Sequence, residues 1–322
     1  MYEQLFGLSK RPFNLTPDPA FLFLTPQHRE ALVGLTYAIL NGKGFVVLTG
    51  EAGTGKTTLL VKVLQSLPAE RLQFSAILNP TLNPSEFLEM ALLDFGVTDV
   101  PTSKARRLWA LQNLLFQGRQ QGKASALIVD EAHKLNSEVL EEIRLLGNFE
   151  RADHKLLQIV LIGQSELEQN LDRDDLRQLK QRIALWLRIE PLCVAEVGEY
   201  VRFRWETAGG TGLPFSTEAI ATIGEASFGI PRVISSLCDN SLMLAFGEGE
   251  SAIERRHVLS AAAEMKLKLE PDISGALNSD RPVVSETAET GAAGELAASA
   301  NGVDRVSLWA RRAGRLGLAS KE

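Results

Sequence analysis

Short apolar runs alternate with longer amphipathic stretches along the first 190 positions: FVVLTG, then TTLLVKVLQSL, FSAIL, PSEFLEMALLDFG, RRLWALQNLLFQGRQQG, SALIVDEA, LNSEVLEEIRLLGNF and LLQIVLIG. Strands written as unbroken Val/Ile/Leu runs between helices predict a parallel sheet covered on both faces. Ahead of that pattern lies a lead-in, 1–44, punctuated by Phe6, Phe13, Pro17, Pro19, Phe21 and Phe23 and then helical through Leu32, Leu35, Ile39 and Leu40; it is expected to pack on the core. Past Pro191 the strand pattern gives way to helical text, with Pro231 at a helix start just after Gly229. The segment 191–270 therefore reads as an all-α lid. From 271 to 322 the chain turns to Ala, Gly, Ser, Glu and Thr, too poor in large apolar side chains to offset the entropy of folding, so this tail is expected to be disordered. The core itself spans 45–190.

Composition adds little to this picture and excludes some alternatives. The chain has 322 residues, 45% of them hydrophobic, enough for a main domain and a smaller companion. A net charge of −6 gives no global attraction to nucleic acid and leaves DNA binding open, since a local basic patch can exist on an acidic protein. Cys193 and Cys238 have no CxxC spacing and the four histidines are scattered, which argues against a disulfide framework and a structural zinc site. The first residues contain no continuous apolar leader, and runs such as LLQIVLIG are too short to span a bilayer. A cytoplasmic location, with peripheral association at the inner membrane as a variant, is the expectation.

The strongest chemical signal is Gly50-Glu51-Ala52-Gly53-Thr54-Gly55-Lys56-Thr57-Thr58, placed between the apolar run and a helical one. Glycines let the backbone curl until several N–H groups and a helix N-terminus face phosphates, Lys56 adds charge near the β and γ oxygens, and Thr57 offers a hydroxyl to Mg²⁺. Ala126-Leu127-Ile128-Val129-Asp130-Glu131 is an apolar strand ending in two acids. Strands often end in acidic turns, but following a P-loop this one predicts Asp130 in the Mg²⁺ shell and Glu131 polarising the attacking water. Gln164, at the end of the next apolar strand, is either a strand-end turn residue or a polar sensor of the γ-phosphate or water. Among the cations of 173–182, Arg182 is either solvated or an arginine finger for a neighbouring subunit in a ring. Arg232 opens a lid helix, where it opposes the helix dipole, and is either a surface residue or a phosphate contact.

These elements, taken in order, resemble the AAA+ ATPases of the general secretion pathway protein A (ExeA) family and their relatives encoded with exosortase and exopolysaccharide systems. The resemblance covers about 1–270. It includes Phe13-Asn14-Leu15-Thr16-Pro17-Asp18-Pro19, Phe21-Leu22-Phe23, His28, Ala31-Leu32 and Gly42-Lys43-Gly44-Phe45. It continues through Asp130-Glu131-Ala132-His133, Gly163-Gln164-x-Glu166-Leu167, Gln181-Arg182-Ile183, Pro191-Leu192 and Gly229-x-Pro231-Arg232. The resemblance implies an α/β P-loop NTPase of the AAA+ type, a three-layer parallel-sheet core with a C-terminal all-α lid, using ATP and Mg²⁺. It also implies that Gln164 is sensor 1, Arg182 the finger and Arg232 sensor 2, with a nucleotide-dependent homo-oligomeric ring. Ser165 stands where many relatives have proline. Secretion members continue into a transmembrane helix and a periplasmic peptidoglycan-binding domain; nothing in this sequence matches either, so the shorter exosortase-type relatives are the expected kin. The readings that follow are an ATPase serving an envelope assembly, a DNA-associated regulator of the transposition type, or a nucleotide-gated scaffold. At the far end, Val306, Trp309, Ala313 and Leu316 recur at near-helical spacing among arginines, which fits docking on an envelope partner or an anionic membrane as well as a functionless basic end.

Overall fold

The computed structural model describes residues 2–267 apart from 79, 152 and 153; the expectations for 271–322, including the basic stretch at 305–316, lie outside the described residues. The lead-in opens with α1 (Tyr2–Leu5) and passes a single 3-10 turn to α2 (Pro26–Leu40). The Thr25 side chain caps α2 by accepting from the His28 N–H, and Pro26 occupies the first helical position, where the missing N–H costs nothing. The core runs β1 (Phe45–Gly50), α3 (Lys56–Ser66), β2 (Leu72–Ile77), α4 (Pro84–Phe95), α5 (Lys104–Gln120), β3 (Ala124–Val129) and α6 (Ser137–Leu146). A short antiparallel pair, β4 (Glu150–Arg151) with β5 (His154–Lys155), precedes β6 (Gln158–Ile162), α7 (Glu166–Leu171), α8 (Arg177–Lys180) and β7 (Ile183–Ile189). The α4 helix shows how local chemistry sets a boundary: Asn83 and Glu86 form a reciprocal capping box at its start, and Gly96 ends it in the left-handed conformation.

The five long strands pair in the order β2-β3-β6-β1-β7, all parallel. Alternate residues of each strand feed opposite layers. Phe45, Val47, Leu127, Val129, Ile159 and Leu161 meet the helices α4 to α8 on one face. Val46, Leu48, Ala126, Ile128, Val160 and Ile162 meet α2 and α3 on the other. This is the three-layer parallel core that the apolar runs predict. The chain leaves β1 toward β2 on one side, while β7 lies on its other side, so strand order reverses at β1 and opens a crevice at the C-terminal strand ends.

The lid consists of α9 (Val194–Thr207), α10 (Thr217–Ser227), α11 (Pro231–Glu248) and α12 (Arg255–Glu264), packed around Val201, Trp205, Ile223, Leu237 and Val258. The lead-in divides its packing. Tyr2 and Phe13 belong to the lid's apolar cluster, whereas Ala31, Leu35 and Ile39 of α2 belong to the sheet's. The reason is aromatic: Phe6 stands edge-on to Trp205 with ring centroids 5.3 Å apart, and Phe13 likewise to Phe215 at 6.0 Å. Among the described residues no helix is long and apolar enough to cross a membrane.

Candidate functional site

The site forms where β1 ends. Gly55, at φ 97°, caps α3 without a side chain, leaving the first N–H groups of that helix free to face the crevice. Gly53 has φ 88°, and a Cβ there would lie 2.7 Å from Arg232 Cβ, so loop and lid approach more closely than any side chain allows. Lys56 is only 8% exposed, and its Nζ donates to the carbonyls of Gly50 at 2.7 Å and Glu51 at 2.8 Å. Burial pushes the ammonium's pKa down, with Asp130, Glu131 and Glu51 pulling the other way. The loop thus holds a cation on neutral backbone oxygens in a concave pocket, a site pre-charged for phosphate.

Asp130 follows β3 and is set by its backbone N–H donating to Ile77 O at 2.9 Å. Its carboxylate is 6% exposed; burial raises its pKa, opposed chiefly by the Thr57 hydroxyl donating to Oδ2 and the Glu131 N–H donating to Oδ1, both at 2.9 Å. Glu131 has φ 55°, a left-handed backbone at a non-glycine residue and a local strain typical of functional turns. Its Oε2 lies 3.1 Å from Lys134 Nζ and 3.7 Å from His133 Nε2. Gln164, just past β6, donates its N–H to His133 Nδ1 at 3.4 Å.

From the lid, the Arg232 N–H donates to Gly53 O at 3.2 Å, bringing the start of α11 against the loop. Gly229, at φ 71°, makes this possible: a Cβ there would sit 2.0 Å from Leu192 O, while Leu192 N donates to Gly229 O at 2.8 Å. Ala52, Gly53, Thr54, Lys56, Thr57, Thr58, Glu131 and Arg232 all line one cleft. Gly50, Glu51, Asp130 and Gln164 are not part of that lining, and neither is Arg182, which precedes β7, whose Ile183 pairs with Phe45 at the start of β1, and so lies at the end of the sheet opposite the loop. There its Nη1 donates to Arg144 O at 3.2 Å and Asn148 Oδ1 at 2.5 Å.

Sequence reasoning gave part of the cleft no role. Asn14 to Asp18 and Phe21, named only within the lead-in and the family pattern, line it, together with Tyr200 and Arg204 of α9. Arg204 ties lead-in to lid by donating to Pro12 O at 2.6 Å and Asn14 O at 2.9 Å. His28, quoted only as part of a family pattern, is buried with Nδ1 2.7 Å from Thr25 Oγ1 and Nε2 3.1 Å from Thr54 O, joining α2 to the loop; burial lowers its pKa. No spacing in the sequence signals these contacts.

The donor set fits a nucleotide with a hard divalent cation. A hydroxyl and a carboxylate already meet at Thr57 and Asp130, oxygen ligands of the kind Mg²⁺ takes, beside a backbone-held lysine. Residues 39–171 match the model of the AAA domain. The chain is 43% identical over 269 residues to general secretion pathway protein A of Aeromonas hydrophila, covering 82% of this chain and 48% of that protein, so it spans about half of that relative's length. It is 26% identical over 267 residues to the ATP-dependent target DNA activator B of Escherichia phage Mu, covering 80% of this chain and 77% of that protein. Among solved structures, the Aeropyrum pernix ORC2 protein superposes with a TM-score of 0.61 at 17% identity, over 80% of this chain and 72% of that one, a likeness of fold. With a parallel P-loop core, an AAA domain match and 43% identity over 82% of its length, this chain belongs to the AAA+ ATPase family of general secretion pathway protein A.

Proposed function

We propose that this chain binds ATP with Mg²⁺, hydrolyses it, and uses the cycle to drive or switch an envelope secretion or exopolysaccharide/exosortase-linked assembly. The observation that carries the reading is the meeting of Thr57 with Asp130 at 2.9 Å beside the buried Lys56. Thr57 Oγ1 and Asp130 Oδ2 would hold the cation, which would supply positive charge to offset that of the phosphates. Lys56 trades its two carbonyl partners for phosphate oxygens, and the N–H groups of 53–58 hold the remaining charge. Glu131, half-exposed at the cleft, orients and polarises the attacking water. Gln164 contacts the γ-phosphate from the neighbouring strand end, and Arg232 does so from the lid. Arg182 lies too far round the sheet to serve its own cleft and acts on a neighbouring subunit's nucleotide, which calls for a homo-oligomeric ring. The secretion assignment rests on the Aeromonas relative.

A second reading, an ATP-dependent DNA regulator, is favoured by the match to the phage activator, which covers 77% of that protein. One experiment separates the two. Mg²⁺-dependent ATP hydrolysis is measured against protein concentration, with and without DNA, for the parent, Lys56→Ala, Glu131→Gln and Arg182→Ala. Turnover that rises faster than linearly and is lost in all three variants supports the ring ATPase. Stimulation by DNA alone moves the assignment to the second reading, and ATP binding with no turnover in any condition overturns hydrolysis in favour of a nucleotide-gated scaffold.

A further inference from the structure

Two turns meet at the C-terminal end of the sheet, one after β3 with Glu131 and His133, the other after β6 with Gln164. The backbone of the histidine is held in place. Asn170 Nδ2 donates to His133 O at 3.0 Å, and a Cβ on Gly163 would already lie 3.2 Å from His133 N. The Gln164 N–H points at His133 Nδ1, 3.4 Å away. A ring nitrogen that accepts a hydrogen bond carries no proton, so the neutral imidazole keeps its hydrogen on Nε2. That Nε2 lies 3.4 Å from the Gln164 amide nitrogen, an orientation that leaves two N–H groups face to face, and 3.7 Å from Glu131 Oε2. A carboxamide can turn by 180° to present either its oxygen or its NH₂, and the hydrogen-bond partners decide which. Facing an Nε2–H, the oxygen attracts and the NH₂ repels.

We propose that His133 is a positioning residue that fixes the polarity of Gln164: by engaging the amide oxygen, it leaves the NH₂ as a donor for the γ-phosphate. Without it, the amide is free to present its oxygen, an acceptor, to an anion. The inference rests on the reading above that Gln164 faces the γ-phosphate, and it explains why a ring nitrogen lies on each side of this glutamine: Nδ1 at its backbone N–H and Nε2 at its side chain. His133 acts through Gln164 and touches no reacting atom.

The test uses the full chain and reads binding as well as turnover: dissociation constants for ADP and ATPγS, each with Mg²⁺, for the parent, Gln164→Ala, His133→Ala, His133→Asn, His133→Gln and the double variant His133→Ala/Gln164→Ala. A charge-assisted hydrogen bond is lost when the donor turns away, so His133→Ala lowers the preference for ATPγS over ADP about tenfold, as Gln164→Ala does. The double variant is no worse than Gln164→Ala, because both changes remove the same contact. His133→Gln, which carries an amide donor near the ε position, restores most of the preference; His133→Asn, which keeps an acceptor near the δ position only, does not. Should His133→Ala melt early, the Asn and Gln variants still make the comparison. A parent-like ratio in His133→Asn, or failure of His133→Gln to exceed it, overturns the proposal while leaving the ATPase reading intact. An unchanged ratio in Gln164→Ala overturns both this proposal and the sensor role of Gln164, and absence of nucleotide binding by the parent overturns the proposed function itself.

Discussion

The cleft has two walls of different make. One is the C-terminal edge of the sheet, where Lys56, Thr57, Asp130 and Glu131 are bound to one another and to their own loops, as in Lys56 Nζ to Gly50 O across six positions. The other is assembled from the two ends of the described chain, with Arg204 reaching Pro12 O across 192 positions. The first wall carries buried charge held by the backbone of its own loop and by the Thr57–Asp130 contact across 73 positions, which suits it to phosphate chemistry. The second carries aromatic and polar side chains whose placement depends on the lid docking against the lead-in. The walls therefore fail differently: damage to the first removes chemistry, and damage to the second loosens geometry.

The largest effect is expected from a residue in neither wall. Arg182→Ala should cost about three powers of ten in kcat at concentrations where the protein assembles, and leave ATP affinity unchanged, as a finger supplied in trans requires. A matching loss of affinity, measured by nucleotide titration, would return Arg182 to its own cleft. Lys56→Ala comes next: losing a charge-assisted contact to phosphate should weaken ATP binding about 10- to 100-fold, with little change in melting temperature. Arg204→Met keeps an unbranched apolar side chain but removes the guanidinium, which stands over the Phe21 ring and donates to Pro12 and Asn14. It should lower Tm by about 2–4 °C per kcal/mol lost and weaken nucleotide binding only a few-fold, the signature of the second wall.

The smallest effect has the opposite sign. Burial raises the Asp130 pKa, so the folded state binds more protons than the unfolded one above the ordinary carboxylate range, and this group's contribution to stability falls as pH rises through its folded pKa. At neutral pH its charge is a net cost until a cation arrives. Asp130→Asn should therefore raise the Tm of the nucleotide-free protein by a few degrees, about 2–4 °C per kcal/mol gained, while abolishing the extra stabilisation by Mg²⁺ with ATP. Scanning calorimetry with and without Mg-ATP checks both halves.

The first wall was legible in the sequence because its residues sit in contiguous motifs at strand ends, and β1, β3 and β6 announce themselves as continuous apolar runs that are buried on both faces. The edge strand β7 does not. Ala184, Trp186 and Arg188 alternate outward, with only one neighbouring strand to cover them, so IALWLRI lacks the unbroken signature. The pair β4 and β5, two residues each, is too short for any period to register. The second wall was illegible for a different reason: Arg204, Tyr200 and Asp18 are ordinary residues of a helix or turn until packing brings distant segments together. Gln164 and Arg232 were offered as a polar sensor and a phosphate contact from their places at a strand end and a helix start, and took the names sensor 1 and sensor 2 from family likeness; in the fold they stand beside His133 and Gly53.

Because Tyr2 and Phe13 pack with the lid while α2 packs on the sheet, the chain crosses between the two bodies twice, once near Asp18 to Phe21 and again near Leu192. A body tethered by one strand of polypeptide can swivel in any direction; one tethered at two points turns about the line that joins them and resists sliding. Both crossings border the mouth of the cleft, with Leu22 against the Gly55 turn and Leu192 against Gly229. A swing of the helices about that axis would widen or narrow the mouth, so two tethers would confine such a movement to a single stroke.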